Sequence, residues 1–140
     1  MQRIFLLLGL FLLGALSNIN AQENHTITID FTGIESDKGN IYVALYDNKD
    51  SFLKKPAKGD IVKITDKKAT AVFKNIPNGV YAISAFHDEN NNKKMDTKIF
   101  GIPKEPIGMS NDAKGFMGPP KYKDAKFTVN GDVTLTIEMN

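Results

Sequence analysis

The sequence predicts an all-β fold, a single sandwich of about seven short strands with one long ordered loop. Short runs alternate polar and apolar residues, which is the period of a half-buried strand. Gly, Pro, Asn and Asp separate these runs at intervals typical of Ig-like sandwiches. No segment has the apolar period of an amphipathic helix. The three observations together favour two packed sheets.

The first four strands are predicted in the N-terminal half of the chain. Residues 26–31 alternate polar and apolar side chains, as expected of a strand with one buried face. Residues 41–46 are apolar on both faces and therefore predict a central strand. Residues 61–64 and 70–73 predict the third and fourth strands. Phe52 and Leu53, in the polar connection before the third strand, are expected to anchor that connection to the core.

Three more strands are predicted in the C-terminal half. The longest, residues 80–87, follows a turn that contains Pro and Gly. Residues 125–129 and 133–138 predict the last two. Asn130-Gly131 lies between them, and Asn-Gly between alternating runs is a strong signal for a hairpin turn. We therefore expect the last two strands to pair with each other.

The N-terminus predicts a secretory signal peptide over residues 1–21. Arg3 precedes an apolar run at residues 4–16, and the small residue Ala21 precedes a polar one. The run has 13 residues, whereas a helix needs about 20 to cross a bilayer. We predict cleavage after Ala21, a β-sandwich domain over residues 22–140, and export to the periplasm or the cell exterior without a membrane span.

Composition narrows the classes of partner. The 18 basic and 16 acidic residues give a net charge of +2, and the lysines form no dense cluster. Nucleic acid is therefore not a predicted partner. The chain contains no Cys, so apolar burial and not disulfides must hold the domain together.

Residues 88–124 form an unusually long connection. Loops of more than roughly 15 residues in compact domains are mostly functional or disordered. The segment is too apolar for a free linker. Its large apolar residues are Phe100, Ile102, Ile107, Met109, Phe116, Met117 and Tyr122. We predict that it packs as an ordered cap. Phe116 and Met117 precede Gly118 and two prolines, which favours a position on the crest of a loop.

The start of this segment predicts a weak calcium site. Oxygen-bearing side chains recur at Asp88, Asn90, Asn92 and Asp96. They match positions 1, 3, 5 and 9 of the calcium-hand loop, and the backbone carbonyl of Lys94 falls at position 7. A hard cation such as Ca²⁺ takes oxygen ligands of this kind. With only two carboxylates among the ligands, we expect a dissociation constant on the order of 0.1–1 mM.

Two positions depart from the calcium-hand pattern. Lys93 stands where the pattern has Gly, and Ile99 stands where it has a bidentate Glu. Glu89 or Glu105 is then needed to supply the missing carboxylate. The alternative is an Asx-rich turn whose side chains satisfy their own backbone and hold no cation.

No catalytic residues are predicted. His87, Asp88 and Glu105 are the only group from which an enzyme site is conceivable, and they must converge around a pocket to form one. A lone His at the end of a strand is more often a hydrogen-bonded structural group. Ser84 lies too close to Asp88 along one strand for the two to flank an imidazole as a triad.

Aromatic residues offer a surface for a protein or glycan partner at the cell envelope. The five considered are Tyr42, Tyr46, Tyr81, Phe116 and Tyr122. The alternative is that these side chains pack in the core or on a sheet face, as most strand aromatics do.

The motifs resemble a known family. Residues 73–81 are similar to the N-(L/I)-P-x-G-x-Y turn and strand of prealbumin-like and Cna-B-like sandwiches. His87-Asp88-x-Asn90-x-Asn92-x-Lys94-x-Asp96, followed by residues 101–111, 118–120 and 124–127, resembles the exported bacterial family DUF2141. Members of that family often have Gly where this chain has Lys93. The resemblance extends over residues 27–137 and implies an extracytoplasmic β-sandwich, but no activity. Calcium-binding Asp/Asn loops in some Cna-B-like sandwiches support the cation hypothesis by analogy.

The sequence is compatible with three functional hypotheses. The first is a non-catalytic exported module whose loop is ordered by Ca²⁺ and presents a binding surface. The second is a metal-independent structural or interaction domain of the cell envelope. The third is an enzyme that uses His87, Asp88 and Glu105.

Overall fold

The computed structural model describes residues 21–140, so the predicted signal peptide lies outside the described residues except for Ala21. The strands are β1 (Asn24–Thr32), β2 (Asn40–Tyr46), β3 (Lys58–Lys63), β4 (Ala69–Pro77), β5 (Gly79–Asp88), β6 (Ile107–Met109), β7 (Phe127–Val129) and β8 (Val133–Glu138). Two 3-10 turns, Ile99–Gly101 and Ser110–Asp112, and one short helix, α1 (Tyr122–Ala125), complete the described elements. Within residues 21–140, no helix is long and apolar enough to cross a membrane. The predicted all-β sandwich is confirmed.

The strands form two sheets. In the smaller sheet β1 is central, antiparallel to β4 and parallel to β8. In the larger sheet the order is β3-β2-β5-β6, with antiparallel pairing throughout. β7 pairs with the first residues of β5. The prediction that residues 41–46 form a central strand is confirmed, because β2 lies between β3 and β5.

The main core lies between the two sheets. Its side chains come from alternate positions of β1, β2 and β5, as the period of two predicts. The most buried large residues are Ile27, Ile29, Phe31, Ile41, Leu45, Ile76, Ile83 and Ile137. Each such side chain stabilises the fold by about 1.5–3 kcal/mol relative to exposure. Apolar burial therefore holds the domain without any disulfide.

The predicted pairing of the last two strands is wrong. β7 pairs with β5 in the larger sheet, and β8 pairs with β1 in the smaller one, so Asn130-Gly131 carries the chain between sheets. Neither residue has the positive φ that a type I′ hairpin turn requires. Asp132 instead fixes the crossing, because its Oδ1 accepts the Thr26 N–H at 2.9 Å.

Residues 88–124, predicted to pack as an ordered cap, pack against the larger sheet only in part. The C-terminal portion contributes β6 and part of a second, smaller core on the outer face of the larger sheet. That core contains Tyr46, Phe52, Ala82, Met109 and Ala125, and Tyr122 packs against it. Phe52 therefore anchors its connection as predicted, whereas Leu53 is 38% exposed and lies outside this core. By contrast, Phe100, Ile102, Phe116 and Met117 are exposed.

Candidate functional site

The Asp/Asn loop begins where β5 ends. Asp88, the last residue of β5, pairs with Asn40 of β2 and is fully buried. The chain enters β2 through Gly39, which has a φ of +68°. A Cβ at position 39 would lie 1.7 Å from the Asp88 carbonyl oxygen. Glycine therefore allows the two segments to pass closely and to bury the first residue of the loop.

The carboxylate of Asp88 holds the turn of the loop. Its Oδ1 accepts the Asn92 N–H at 3.1 Å, and its Oδ2 accepts the Lys93 N–H at 2.8 Å. The side chains of Asn90 and Asn92 repeat this arrangement one step further on. Asn90 Oδ1 accepts the Asn92 N–H at 3.2 Å, and Asn92 Oδ1 accepts the Lys94 N–H at 3.1 Å. These are the hydrogen bonds of consecutive Asx turns.

The backbone at Lys93 adopts the conformation for which calcium hands use glycine. Its φ is +66°, and that of Asn91 is +56°. Asn tolerates this left-handed region, whereas Lys adopts it at a cost. The departure at Lys93 therefore changes the strain of the turn but not its path.

Asp96 is the point on which the loop side chains converge. Asn90 Nδ2 and Asn92 Nδ2 both donate to its carboxylate, the latter at 2.9 Å and 3.0 Å. The hydrogen bond from Asn92, followed by that from Asn90, lowers the pKa of Asp96 below its usual range, and Lys94 and Lys104 add to the effect. The structure thus joins three of the predicted ligands, while Asp88 faces the backbone of the same turn.

Glu105 is the additional carboxylate that reaches the loop. Its Oε2 accepts the Asp96 N–H at 3.1 Å. Its Oε1 is buried and has no hydrogen-bond partner among the described residues. Glu89, the other candidate, instead places Oε1 3.7 Å from His87 Nδ1. Ile99, at the twelfth position of the pattern, is 78% exposed and is no ligand.

The charge available to a cation is small. Across residues 21–140, no three side chains of His, Cys, Asp or Glu are grouped to hold a metal ion. The predicted ligand side chains are two carboxylates, Asp88 and Asp96, and two amides. This composition is consistent only with a weak site that relies on neutral oxygens.

His87, Asp88 and Glu105 have separate partners. The imidazole Nε2 of His87 donates to the Lys38 carbonyl oxygen at 2.5 Å, and the residue is fully buried. Asp88 is engaged with the loop amides and Glu105 with the Asp96 amide. No hydrogen bond joins the three side chains to one another in the described part of the chain.

A groove lies beside the loop, on the outer face of the larger sheet. Its floor contains a row of large side chains, Ile61, Tyr42, Phe86 and Ile107, which are opposed on neighbouring strands. The rings of Tyr42 and Phe86 stack with centroids 4.9 Å apart. A parallel row of small residues, Gly59, Ala44 and Ser84, leaves a hollow beside them.

Two loops of the 88–124 segment form the walls of the groove. The first, residues 95–103, is a hairpin closed by the bridge between Thr97 and Pro103. The second is residues 115–120. The two walls and the floor border an open groove with a volume of about 1520 Å³. Phe100, at the tip of the first loop, is 97% exposed, and Met117, at the tip of the second, is 95% exposed.

Sequence reasoning identified the Phe116–Met117 crest but missed the groove. The sequence did contain a signal for it, because residues 41–46 are apolar on both faces of the strand. Only one of these faces can pack against the other sheet, so the second face needs another apolar contact. The aromatic residues considered above lie in different environments. Tyr81 is in the main core and Tyr46 in the second core, whereas Tyr42 lies in the floor of the groove. Burial, and to a smaller extent Asp47, raises the pKa of Tyr122 beside the second core.

The family model described as "Uncharacterized protein conserved in bacteria (DUF2141)" matches residues 29–137. No curated protein and no solved structure gives a significant match. The matched residues run from β1 to β8 and therefore include both the Asp/Asn loop and the groove.

Proposed function

We infer a function from the site itself, because the chain belongs to the DUF2141 family of bacterial proteins and the description of that family gives no activity. We propose that the protein is an exported, non-catalytic binding module. Its Asp/Asn loop binds Ca²⁺ weakly, and the bound ion orders one wall of the groove. The export part of this proposal depends on residues 1–21, as argued from their sequence.

The oxygen atoms near Asp96 support a cation of this type. Ca²⁺ takes six to eight oxygen ligands in irregular geometry. The side chains of Asn90 and Asn92 already point at the Asp96 carboxylate through their amide nitrogens. A rotation of each amide about χ2 presents its oxygen instead, in exchange for the Asx-turn hydrogen bonds that Asn90 Oδ1 and Asn92 Oδ1 accept without the ion. The cation then replaces the two N–H groups as the partner of Asp96. The Lys94 carbonyl oxygen and the unpaired Glu105 Oε1 are further oxygen ligands for the cation.

The main support for the proposal is that Asp96 connects the Asp/Asn loop to the first wall of the groove. Its side chain belongs to the Asp/Asn loop, and its backbone begins the first wall of the groove. The Lys104 N–H donates to the Asp96 carbonyl oxygen at 2.8 Å, which pairs the two ends of that wall. Fixing Asp96 with a cation therefore fixes residues 95–103. In the absence of a cation the same residues depend on hydrogen bonds to the carboxylates of Asp96 and Glu105 alone.

Thermal unfolding of the purified protein with Ca²⁺ or with chelator tests the proposal. For a dissociation constant on the order of 0.1–1 mM, about 10 mM Ca²⁺ stabilises the folded state by about 1.4–2.7 kcal/mol. The midpoint should rise by several degrees. Mg²⁺ at the same concentration should have a smaller effect, because it demands near-octahedral geometry and gives up water reluctantly.

Matched variants identify the ion-binding residues. Asp88→Ala combined with Asp96→Ala should abolish the Ca²⁺-dependent rise. Asp50→Ala removes an exposed carboxylate from a turn outside the loop and should preserve the rise. If the curves of the unmodified protein superimpose with Ca²⁺ and with chelator, the second hypothesis, a metal-independent interaction domain with an Asx-rich turn, replaces this one.

A further inference from the structure

We propose that the groove is the interface of a two-fold homodimer, in which the tip of the first wall of each copy lies on the floor of the other copy's groove. This inference goes beyond the proposed function, because it names the molecule that occupies the groove. It takes from that function only the groove and does not require the cation.

The exposed apolar side chains are concentrated on the face that contains the groove. Within residues 21–140, ten large apolar side chains are exposed. Six of them line the groove: Leu53, Ile61, Met95, Phe100, Ile102 and Met117. Two more, Ile99 and Phe116, directly precede the tip residues of the two walls. Apolar surface concentrated in this way marks an interaction site.

The tips of the two walls combine exposure with backbone strain. Phe100 and Met117 are 97% and 95% exposed, and their φ angles are +65° and +53°. A left-handed backbone costs free energy in residues with a bulky side chain. At this exposure, neither side chain gains burial within its own chain that would offset the cost. Contact with a second molecule would provide that burial.

The face contains both a hollow and the projections that fit it. The stacked rings of Tyr42 and Phe86 form the floor, and Gly59 and Ala44 line the hollow beside them. A two-fold axis through this face brings the projecting tip of each copy onto the floor of the other, so the same contact is made twice. Large aromatic side chains bury roughly 150–250 Å² each, so Phe100 alone supplies a sizeable share of the about 800 Å² per partner that a standard interface buries.

Charge complementarity favours a second copy as the occupant. Asp60 is the one charged residue among the described residues that line the groove. Lys98 directly precedes the tip of the first wall, where its N–H donates to the Ile102 carbonyl oxygen at 2.6 Å. Asp60 and Lys98 are both exposed, and within residues 21–140 neither has a salt-bridge partner. A tip that enters the partner's groove brings Lys98 towards the carboxylate of Asp60, and the two-fold axis produces this opposite-charge pair twice.

Association through the free edge of β3 is less favourable. β3 is the outer strand of the larger sheet, and an added strand would pair with its free backbone groups. The Ile61 N–H, however, already donates to Asp60 Oδ1 at 2.8 Å. We therefore assign the contact to the side chains of the groove and its walls and not to the sheet edge.

Sedimentation velocity of the purified protein, from about 1 µM to about 500 µM, tests the proposal. We expect the mass of one copy at the lowest concentrations and of two copies at the highest. A protein that stays monomeric throughout overturns the proposal, and so does growth beyond two copies, which a closed two-fold contact does not allow. Monomeric protein that co-floats with vesicles of phosphatidylcholine and phosphatidylglycerol also overturns it and assigns the face to a membrane.

Replacing Phe100 tests the contribution of the tip. Phe100→Asn removes the ring and introduces a residue that tolerates the left-handed backbone. It should raise the dissociation constant of the dimer by about tenfold or more. Val72→Thr is the control, because Val72 is an exposed apolar residue on β4 of the smaller sheet, and it should leave the constant unchanged. An unchanged constant in Phe100→Asn, with its thermal midpoint preserved, refutes the assigned contact.

Exchange of charge between copies tests the ion pair. Asp60→Lys and Lys98→Asp each place like charges opposite one another, so either variant alone should dimerise about fivefold more weakly or worse. A mixture of the two variants restores both opposite-charge pairs and should form the heterodimer with about the original affinity. A purely structural effect of either substitution is not rescued by mixing.

The control for this exchange is Lys67→Asp, in the β3–β4 turn. Mixed with Asp60→Lys, it should not restore association, because Lys67 lies outside the groove and its walls. Failure of Asp60→Lys and Lys98→Asp to associate when mixed, with both thermal midpoints preserved, refutes the pairing.

Each sedimentation series is run with Ca²⁺ and with chelator, which separates this inference from the proposed function. Dimer formation under either condition supports the interface. Monomeric protein under both conditions refutes it, even where Ca²⁺ raises the thermal midpoint. The calcium proposal is judged by that midpoint alone, measured at a concentration where the protein is monomeric.

Discussion

Lys93 shows how a single residue adjusts the Asp/Asn loop. A left-handed backbone costs a residue with a Cβ about 1–2 kcal/mol relative to the right-handed form. Lys93 accepts this conformation, and its N–H donates to Asp88 Oδ2 at 2.8 Å, which offsets part of the cost. The same N–H would be placed in the same way by glycine without the strain. The turn is therefore determined by Asp88, and position 93 adjusts only its stability.

Replacing Lys93 by Gly should increase the free energy of unfolding by about 0.5–1 kcal/mol. The relief of strain exceeds the entropy that glycine adds to the unfolded chain. Urea denaturation of the purified protein measures the change. Lys94→Gly is the control, because Lys94 does not have a positive φ and glycine there should be destabilising. A stability of Lys93→Gly equal to or below that of the original protein would contradict the role assigned to the turn.

β6 is the element that ties residues 88–124 to the rest of the molecule. It pairs with β5, and its first residue also exchanges two backbone hydrogen bonds of 2.9 Å with Asn140. Gly108 lies in the middle of this strand. A Cβ at that position would lie 2.6 Å from Ile137 Cγ2 and 2.7 Å from Met139 Sδ. Glycine is thus required by close packing against β8, since no positive φ is involved.

Gly108→Ala should destabilise the protein by about 1–3 kcal/mol, because the added methyl group overpacks the contact with β8. Gly118→Ala is the matched control, since a Cβ at position 118 meets nothing within 4 Å. Thermal unfolding of both variants provides the comparison. Equal midpoints would show that β6 can shift away from β8 without loss, and the close packing would then have no role in holding the segment.

At the scale of the whole molecule, the larger sheet has two different faces. Its inner face packs against the smaller sheet and forms the main core. Its outer face is divided between the second core and the groove. The walls of the groove come from one long connection that leaves β5 at the Asp/Asn loop. This continuity links the proposed cation site to the groove.

The proposed export makes a direct prediction for the whole chain. Expression of all 140 residues in a bacterium should yield a protein whose N-terminus is Gln22. N-terminal sequencing or intact mass of the purified protein decides this. Replacing Ala21 with a large charged residue should impair processing there, whereas the same replacement at Glu23 should have less effect, because a small residue is needed just before the cut. A mature protein that retains residues 1–21 would contradict the predicted cleavage.

Periodic patterns in the sequence were sufficient to predict the all-β class and seven of the eight described strands, but not β6, which lies within the predicted long loop. The alternation in residues 26–31 and the doubly apolar run 41–46 both correspond to strands of the structure. The loop chemistry was equally local, because Asp88, Asn90 and Asn92 act on a backbone only a few residues away. Local patterns succeed in such cases because the interacting groups are close along the chain.

The partners of the strands were decided only by the tertiary structure. Asn130-Gly131 has the local chemistry of a hairpin, yet β8 pairs with β1, which is about 100 residues away, and this pairing buries Ile137 completely. The choice between Glu89 and Glu105 at the loop was likewise decided by the path of the first groove wall. The groove itself arises from side chains on four strands and two loops. Sequence alone determined which residues form strands and turns, because that depends on near neighbours. Tertiary structure determined which surfaces meet, because burial of apolar area depends on segments far apart in the chain.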